Sequence, residues 1–194
     1  MEKAITDAYV RIIHGELVAA MGCTEPIAIA YCAAKAARVL GCEPEHLRVL
    51  CSGNIIKNVK GVVVPNSGGR KGIDTAAVLG AIGGDPDREL EVIAGVTREA
   101  REKAATLLDR KDYCQCGVLE SPDNLHIVVT AEAGEHSATV EIRGEHTHIT
   151  RIERDGETLF AAQTPAEGHA ADAHELARLQ ETLSVETILT FADT

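Results

Sequence analysis

Aromatic side chains are scarce in this sequence. Only 3% of the 194 residues are aromatic and tryptophan is absent, whereas 45% of the residues are hydrophobic. We therefore expect an interior built from Ala, Val, Leu and Ile, and the composition does not indicate disorder. The length allows one ordinary domain or two small domains that share a core.

Positively charged residues are also few: the sequence has 19 Lys and Arg against 30 Asp and Glu, which gives a net charge of -11. This balance argues against non-specific binding to nucleic acid or to anionic lipid, both of which require a basic surface. Glu16, Glu25 and Lys35 interrupt the most apolar stretch, and the N-terminus lacks the pattern of a secretory signal. We expect a cytoplasmic protein that binds neither nucleic acid nor membrane.

Helical periodicity dominates the beginning of the chain. An apolar stripe over residues 4–20 predicts a helix that stops at Gly22, and Pro26 opens a second helix that runs to Leu40 and stops at Gly41. This second helix is rich in alanine and apolar on most faces. It should therefore be buried among other elements.

Shorter elements follow in the next part of the chain. Residues 47–53 and 61–66 read as strands, with the polar segment NIIKN (54–58) as the connection between them. Helices are predicted at 73–84, where small residues prevail, and at 98–110, where charged and apolar residues alternate at helical spacing.

The sequence pattern changes from helical to strand-like at Leu125, where four strand-like runs separated by turn residues predict an antiparallel meander. The tail returns to helix at 173–183 and again after Ser184, a predicted N-cap. We expect an α+β fold, with buried Ala-rich helices, a small α/β region carrying the meander, and a helical tail. The last residues, ILTFADT, read like the opening of another helix, so we expect the chain to be the front portion of a longer protein. The domains expected are 1–90, 91–163 and 164–194.

The stretch MGCTEP places Cys23 in front of the second helix instead of inside it. At a helix N-terminus, free N–H groups and the positive end of the helix dipole lower the pKa of a thiol, and the thiolate is the form that binds metals and attacks electrophiles. Gly22 leaves room for a bulky group to approach. The alternative is a half-buried thiol at a helix start.

Three further groups could carry chemistry. The loop PNSGGRKG (65–72) could present backbone N–H groups and two cations to a carboxylate or phosphate, or it could be a solvated turn. His146 and His148, two apart in a predicted strand, would share a face and could ligate a metal, although the sequence offers no third ligand nearby. Cys114 and Cys116 are too close for the usual zinc or thioredoxin spacing, and are either incidental or redox-sensitive surface thiols.

Taken together, GCTEP, SGNIIKNV, VVPNSGGRKGIDTAAVLGAIGGD and GEHTHITRIERDGE resemble the L-cysteine desulfidase / L-serine dehydratase alpha-chain-like family. The resemblance runs along essentially the whole chain. Its most specific parts are GCTEP and the segment that begins with KGI and continues into the helix of small residues. It implies a lyase that eliminates the β-substituent of L-serine or L-cysteine to give pyruvate, ammonia, and water or sulfide. It also implies a four-iron four-sulfur cluster whose open iron takes up the leaving group.

Position by position, the resemblance assigns Cys23 as a cluster ligand. Lys71 and Ser67 would act in catalysis by holding the substrate carboxylate. The residues that it places around the amino-acid substrate are Asn54, Lys57, Asn58, Gly68, His146 and Thr147. The proton-abstracting base is not assigned.

The chain also departs from the family, whose other cluster cysteines lie in a C-terminal half. Cys32, Cys42 and Cys51 read as buried thiols, so another chain or segment must supply the remaining ligands. The alternative function is a non-catalytic module that binds an amino acid or regulates a partner. The exposed strands of the meander favour a homodimer.

Overall fold

The structure, a computed structural model, describes residues 3–17, 19–162 and 183–193, together with residues 178, 180 and 181. The chain divides into two compact units, one made of Met1–Val18 with Gln163–Thr194 and the other of Ala19–Ala162. None of the helices within these described ranges has the length and apolar character needed to cross a membrane.

A six-stranded mixed sheet forms the framework of the larger unit. Its order is β2-β1-β3-β4-β5-β6, in which β1 and β2 are parallel and every other neighbouring pair is antiparallel. The strands are β1 (His46–Cys51), β2 (Cys114–Val118), β3 (His126–Ala133), β4 (His136–Arg143), β5 (Ile149–Arg154) and β6 (Glu157–Ala161). The predicted meander is therefore present as β3 to β6, and the α+β fold class is confirmed.

Helices of the larger unit pack against one face of this sheet. The α-helices are α1 (Lys3–Glu16), α2 (Thr24–Leu40), α3 (Gly53–Val59), α4 (Ile73–Gly83), α5 (Arg98–Leu108) and α6 (Val185–Ala192), and Pro86–Glu91 forms a 3-10 helix. As the sequence predicts, α2 is almost completely buried, because it packs between α4 and the strands β3 and β4. It ends at Gly41, whose φ of 81° is the left-handed conformation of a helix C-cap.

The contact between α2 and α4 depends on the glycine at position 80. A Cβ atom placed there would lie 2.2 Å from the carbonyl oxygen of Ala30. Only hydrogen fits in that gap, so the small residues of both helices allow their backbones to approach closely. The aliphatic core forms around this contact and needs few aromatic side chains.

Two sequence expectations between β1 and α4 are wrong. Residues 61–66 do not form a strand: the chain turns back, and apart from an isolated bridge between Val63 and Lys71 it forms no ladder. The segment NIIKN is not a connection but most of helix α3, in which Ile55 and Val59 are buried one turn apart. Apolar runs this short have no periodicity that separates strand, helix and turn, so tertiary packing decides.

The smaller unit contains α1 and α6. The rings of Tyr9 and Phe191 meet edge to face with centroids 5.3 Å apart. Ser184 is the N-cap of α6, as predicted, and its hydroxyl accepts a hydrogen bond from the Thr187 N–H at 3.2 Å. The helix predicted at 173–183 lies mostly outside the described residues. The division expected at 90/91 and 163/164 stays a prediction, although β1 shares its sheet with the later strands.

Candidate functional site

The candidate site lies at the beginning of α2 and is built around Cys23. This residue is the N-cap of the helix, with an extended backbone (φ -64°, ψ 124°), but its side chain does not cap the helix. The thiol is exposed and donates a hydrogen bond to the Glu25 carboxylate, with 3.0 Å between Sγ and Oε2. Gly22, with a φ of 102°, turns the chain into the helix.

Glu25 connects Cys23 to two other parts of the larger unit. Its second carboxylate oxygen accepts a hydrogen bond from the Asn58 side chain of α3 at 3.1 Å. Its pKa is lowered, chiefly by the hydrogen bond from the Cys23 thiol, and further by Asn58 and by the charge of His146. The carboxylate of Glu25 thus links the start of α2 to one face of α3, and the charge of His146 in the turn between β4 and β5 acts on it.

The pKa of Cys23 moves in the opposite direction from the one that the sequence predicts. It is raised, first by partial burial and next by the hydrogen bond that the thiol donates to Glu25. A thiolate could not donate that bond, and it would stand beside a negative carboxylate. Partial burial and the carboxylate two residues away together outweigh the favourable helix end.

Helix α3 presents its three predicted polar residues on one side. Asn54, Lys57 and Asn58 follow the spacing of a single helix face, with Asn58 half-buried against Glu25 and the other two exposed. A connection between strands would have scattered these side chains. The helix instead groups an amide, an ammonium and a second amide beside the start of α2.

The loop after Pro65 is braced by hydrogen bonds to the carbonyl of Arg70. The hydroxyl of Ser67 is buried and donates to the carbonyl of Arg70 at 3.0 Å, and the Val64 N–H donates to the same carbonyl at 2.9 Å. Gly68 takes a positive φ of 76°, and Lys71 is exposed where the loop enters α4. The loop comes near Cys23 through Pro65, because a Cβ atom on Gly22 would lie 3.5 Å from the proline ring.

His146 and His148 do not share a strand face, contrary to expectation. Both lie in the turn between β4 and β5, where strand alternation does not apply. His146 is half-buried near Glu25, whereas His148 is exposed and shares a hydrogen bond with the carbonyl of Arg143 at 3.0 Å. Thr147 is half-buried between them.

Hydrogen bonds thus join two of the predicted site residues, Cys23 and Asn58, through one residue that the sequence did not single out as functional, and the charge of His146 acts on the same residue. That residue is Glu25. A signal was available, because an acidic residue in the first turn of a helix, two positions after an exposed cysteine, is placed to contact its thiol.

Comparisons with known proteins show sequence similarity along nearly the whole chain. The chain is similar to UPF0597 proteins. It is 46% identical over 182 residues to one from Lachnoclostridium phytofermentans, which covers 94% of this chain and 42% of that protein. A second, from Treponema denticola, is 39% identical over 194 residues, covering 100% of this chain and 44% of that protein. The chain thus spans less than half the length of these curated relatives, whose names state no reaction, substrate or cofactor.

Two other comparisons gave no match. No family model matches the chain, and no solved structure matches it.

The described residues do not by themselves make a complete cluster site. Among them, no group of three or more His, Cys, Asp or Glu side chains is arranged to hold a metal ion. A four-iron cluster is held by several cysteine thiolates, and the site at α2 offers the single sulfur of Cys23. Any such cluster would need ligands from another segment or chain.

Proposed function

We propose that this chain is the N-terminal portion of an iron–sulfur-dependent lyase acting on L-cysteine or L-serine. The reaction is a β-elimination that gives pyruvate and ammonia, with sulfide or water as the other product. The observation that carries the proposal is the exposed Cys23 sulfur at the start of α2, grouped with Glu25, Asn58 and His146. The similarity to proteins more than twice as long fits a site completed by further chain.

In this proposal Cys23 supplies one of the thiolates that hold a four-iron four-sulfur cluster. The cluster, when bound, supplies a Lewis-acidic iron for the leaving group. As a thiolate ligand, Cys23 would no longer donate its hydrogen bond to Glu25. That carboxylate oxygen would keep only the long hydrogen bond from the Thr24 hydroxyl, at 3.5 Å, while Asn58 would continue to hold the other oxygen.

The carboxylate of Glu25 is then suited to bind the ammonium group of an amino acid. The substrate carboxylate needs a cation or N–H donors, and His146, Lys57 on the shared face of α3, and the loop with Ser67, Gly68 and Lys71 are the proposed sources. Asn54 and Thr147 complete the proposed substrate contacts. Fixing both ends of the amino acid orients its Cα–H bond for removal of the proton.

The test is made on the intact protein, prepared without oxygen. Iron content and pyruvate release from L-cysteine and L-serine are measured for the wild type, Cys23→Ser and Cys42→Ser. We expect Cys23→Ser to lose both iron and turnover, and Cys42→Ser, which changes another exposed cysteine, to retain both. Glu25→Gln should retain iron and lower turnover by about 10- to 100-fold. Unchanged iron and turnover in Cys23→Ser would refute the proposal.

The second candidate is a non-catalytic module that binds an amino acid or regulates a partner. It is favoured by the single cysteine of the site and by the absence of a metal-binding group from the described residues. Calorimetry with L-cysteine and L-serine separates the candidates: saturable binding by anaerobic protein that contains no iron and forms no pyruvate supports the module.

A further inference from the structure

Strand β2 carries two cysteines whose sulfurs lie close together. Cys114 and Cys116 are two residues apart in the strand, so their side chains share a face, and their Sγ atoms are 4.0 Å apart. Within the described residues β2 stands at the end of the sheet and pairs only with β1. Cys116 is exposed and Cys114 is half-buried.

The two thiols differ in acidity. The hydrogen bond between the two thiols, which either sulfur can donate, lowers the pKa of the exposed Cys116 and raises that of Cys114, while the nearby carboxylate of Asp74 opposes ionisation of both. The more exposed sulfur is therefore the one that ionises first. Because the thiolate is the nucleophile in disulfide exchange, Cys116 has the role of attacking residue and Cys114 that of resolving residue.

We propose that Cys114 and Cys116 form a reversible dithiol site that reacts with low-molecular-weight disulfides. The Cys116 thiolate attacks one sulfur of the small disulfide, which forms a mixed disulfide and releases the other half as a thiolate. Cys114 then loses its proton to solvent and attacks Sγ of Cys116, forming the internal disulfide and releasing the second half. Two electrons pass from the protein to one small disulfide, which leaves as two thiols.

The strand geometry makes this internal disulfide attainable but strained. A strand advances about 3.3 Å per residue, so Cα atoms two residues apart lie roughly 6.6 Å apart, near the upper limit of about 6.8 Å for a disulfide. The sulfurs must also approach by about 2 Å. The open edge of β2 allows the strand to contract, and strained, exposed disulfides are the readily reduced ones.

The cysteines elsewhere in the larger unit do not combine exposure with a second sulfur nearby, among the described residues. Cys51 is buried, and burial raises its pKa to about 12. Cys32 is also buried and donates to the carbonyl of Val140 at 3.2 Å. Cys42 is exposed, contrary to the expectation of a buried thiol, and among the described residues no other cysteine sulfur is hydrogen-bonded to it, which makes it a matched control.

The experiment equilibrates the intact protein, without oxygen, in mixtures of reduced and oxidised glutathione, blocks free thiols with an alkylating reagent, and locates disulfides by peptide mass mapping. We expect the peptide containing residues 114–116 to lose two hydrogens and both alkylation sites as oxidised glutathione increases, and to regain them on reduction. Cys42→Ser should leave this behaviour unchanged.

Single substitutions separate the two roles. Cys114→Ser should stop at a mixed disulfide between Cys116 and glutathione, and Cys116→Ser should lose the internal disulfide and leave Cys114 largely unmodified. The proposal is overturned if both cysteines stay alkylatable while Cys42 becomes modified, or if Cys116 pairs with Cys51 instead. The readout involves neither iron nor pyruvate, so failure of the dithiol proposal can be distinguished from failure of the lyase proposal.

Discussion

The two faces of the central sheet carry different kinds of side chain, although both are formed by the same strands. On β3, Ile127 and Val129 point toward α2 and are fully buried, whereas the intervening Val128 and the flanking His126 are only partly buried on the other face. The covered face is held by apolar packing, and the outer face carries polar pairs. Residues next to each other in the sequence therefore contribute to stability by different physical effects.

The outer face is ordered by a hydrogen-bonded chain of side chains. Glu141 accepts hydrogen bonds from His126 at 3.0 Å and from Arg151 at 2.9 Å, and Arg151 also bonds Glu153 at 2.9 Å. The side chains of His126 and Glu141 are only 13% and 14% exposed. This polar chain lies across three neighbouring strands, β3, β4 and β5, on the face away from α2.

The largest effect is expected in the helical layer, at Gly80. Gly80→Ala places a Cβ atom 2.2 Å from the Ala30 carbonyl oxygen, so α2 and α4 must separate. We expect the free energy of unfolding to fall by about 3 kcal/mol, measured by urea denaturation. Gly61→Ala is the control, because no atom lies within 4 Å of the added group. Equal stability of the two variants would show that the helix contact is not tightly packed.

A pair of adjacent valines on β3 compares the faces directly. Val129→Ala removes two methyl groups from a fully buried position, and should cost about 2 kcal/mol of unfolding free energy. Val128→Ala, on the partly buried face, should cost less than about 1 kcal/mol. Similar losses in urea denaturation would contradict the distinction between the faces.

Removing Glu141 tests the polar face. Glu141→Ala leaves His126 and Arg151 without their shared acceptor, and we expect a loss of about 1 kcal/mol in unfolding free energy. Glu153→Ala is a milder comparison, because it leaves the bond between Arg151 and Glu141 in place. If Glu141→Ala is as stable as the wild type, the outer hydrogen bonds merely replace bonds to water.

The smallest effect is expected at the turn between β5 and β6, where Asp155 accepts hydrogen bonds from the Ser137 N–H at 2.8 Å and from His136 at 3.0 Å. These contacts, the Ser137 N–H first, lower its pKa from the ordinary 3.8. Its contribution to stability is thus present above pH 3.8 and lost as the pH falls through the lower folded-state value. Asp155→Asn should be slightly less stable at pH 7, and the difference should vanish in strongly acidic urea titrations. A constant difference at all pH values would contradict this origin.

The sequence predicted regular elements well where one signal was strong. The spacing of apolar residues predicted helix α2, and Gly41 predicted where it ends. The pair Asp155-Gly156 predicted the β5–β6 hairpin, and both residues take a positive φ there. It failed on short segments. The edge strand β2, with its two cysteines, was not predicted, because CQCGV has neither clear alternation nor β-branched residues before Val118.

The candidate site shows the same limit. Cys23 was identified from its position before a helix, which is a local property of the chain. Asn58, the hydrogen-bond partner of Glu25, lies 35 positions from Cys23 and His146 still further, and no local pattern indicates that they lie near one carboxylate. The direction of the Cys23 pKa was mispredicted because the helix end is visible in the sequence, whereas burial of the thiol, the first cause of the shift, depends on tertiary packing.

By itself the sequence determined the aliphatic core, the α+β class, the buried helix α2 and the meander, because these follow from composition and from short-range periodicity. Tertiary structure alone decided that α3 is a helix, that Cys114 and Cys116 lie on an edge strand of the described sheet, and that Glu25 of α2 accepts a hydrogen bond from Asn58 of α3. The physical reason is that these outcomes depend on packing and electrostatic contacts between residues far apart in the chain, which no local pattern encodes.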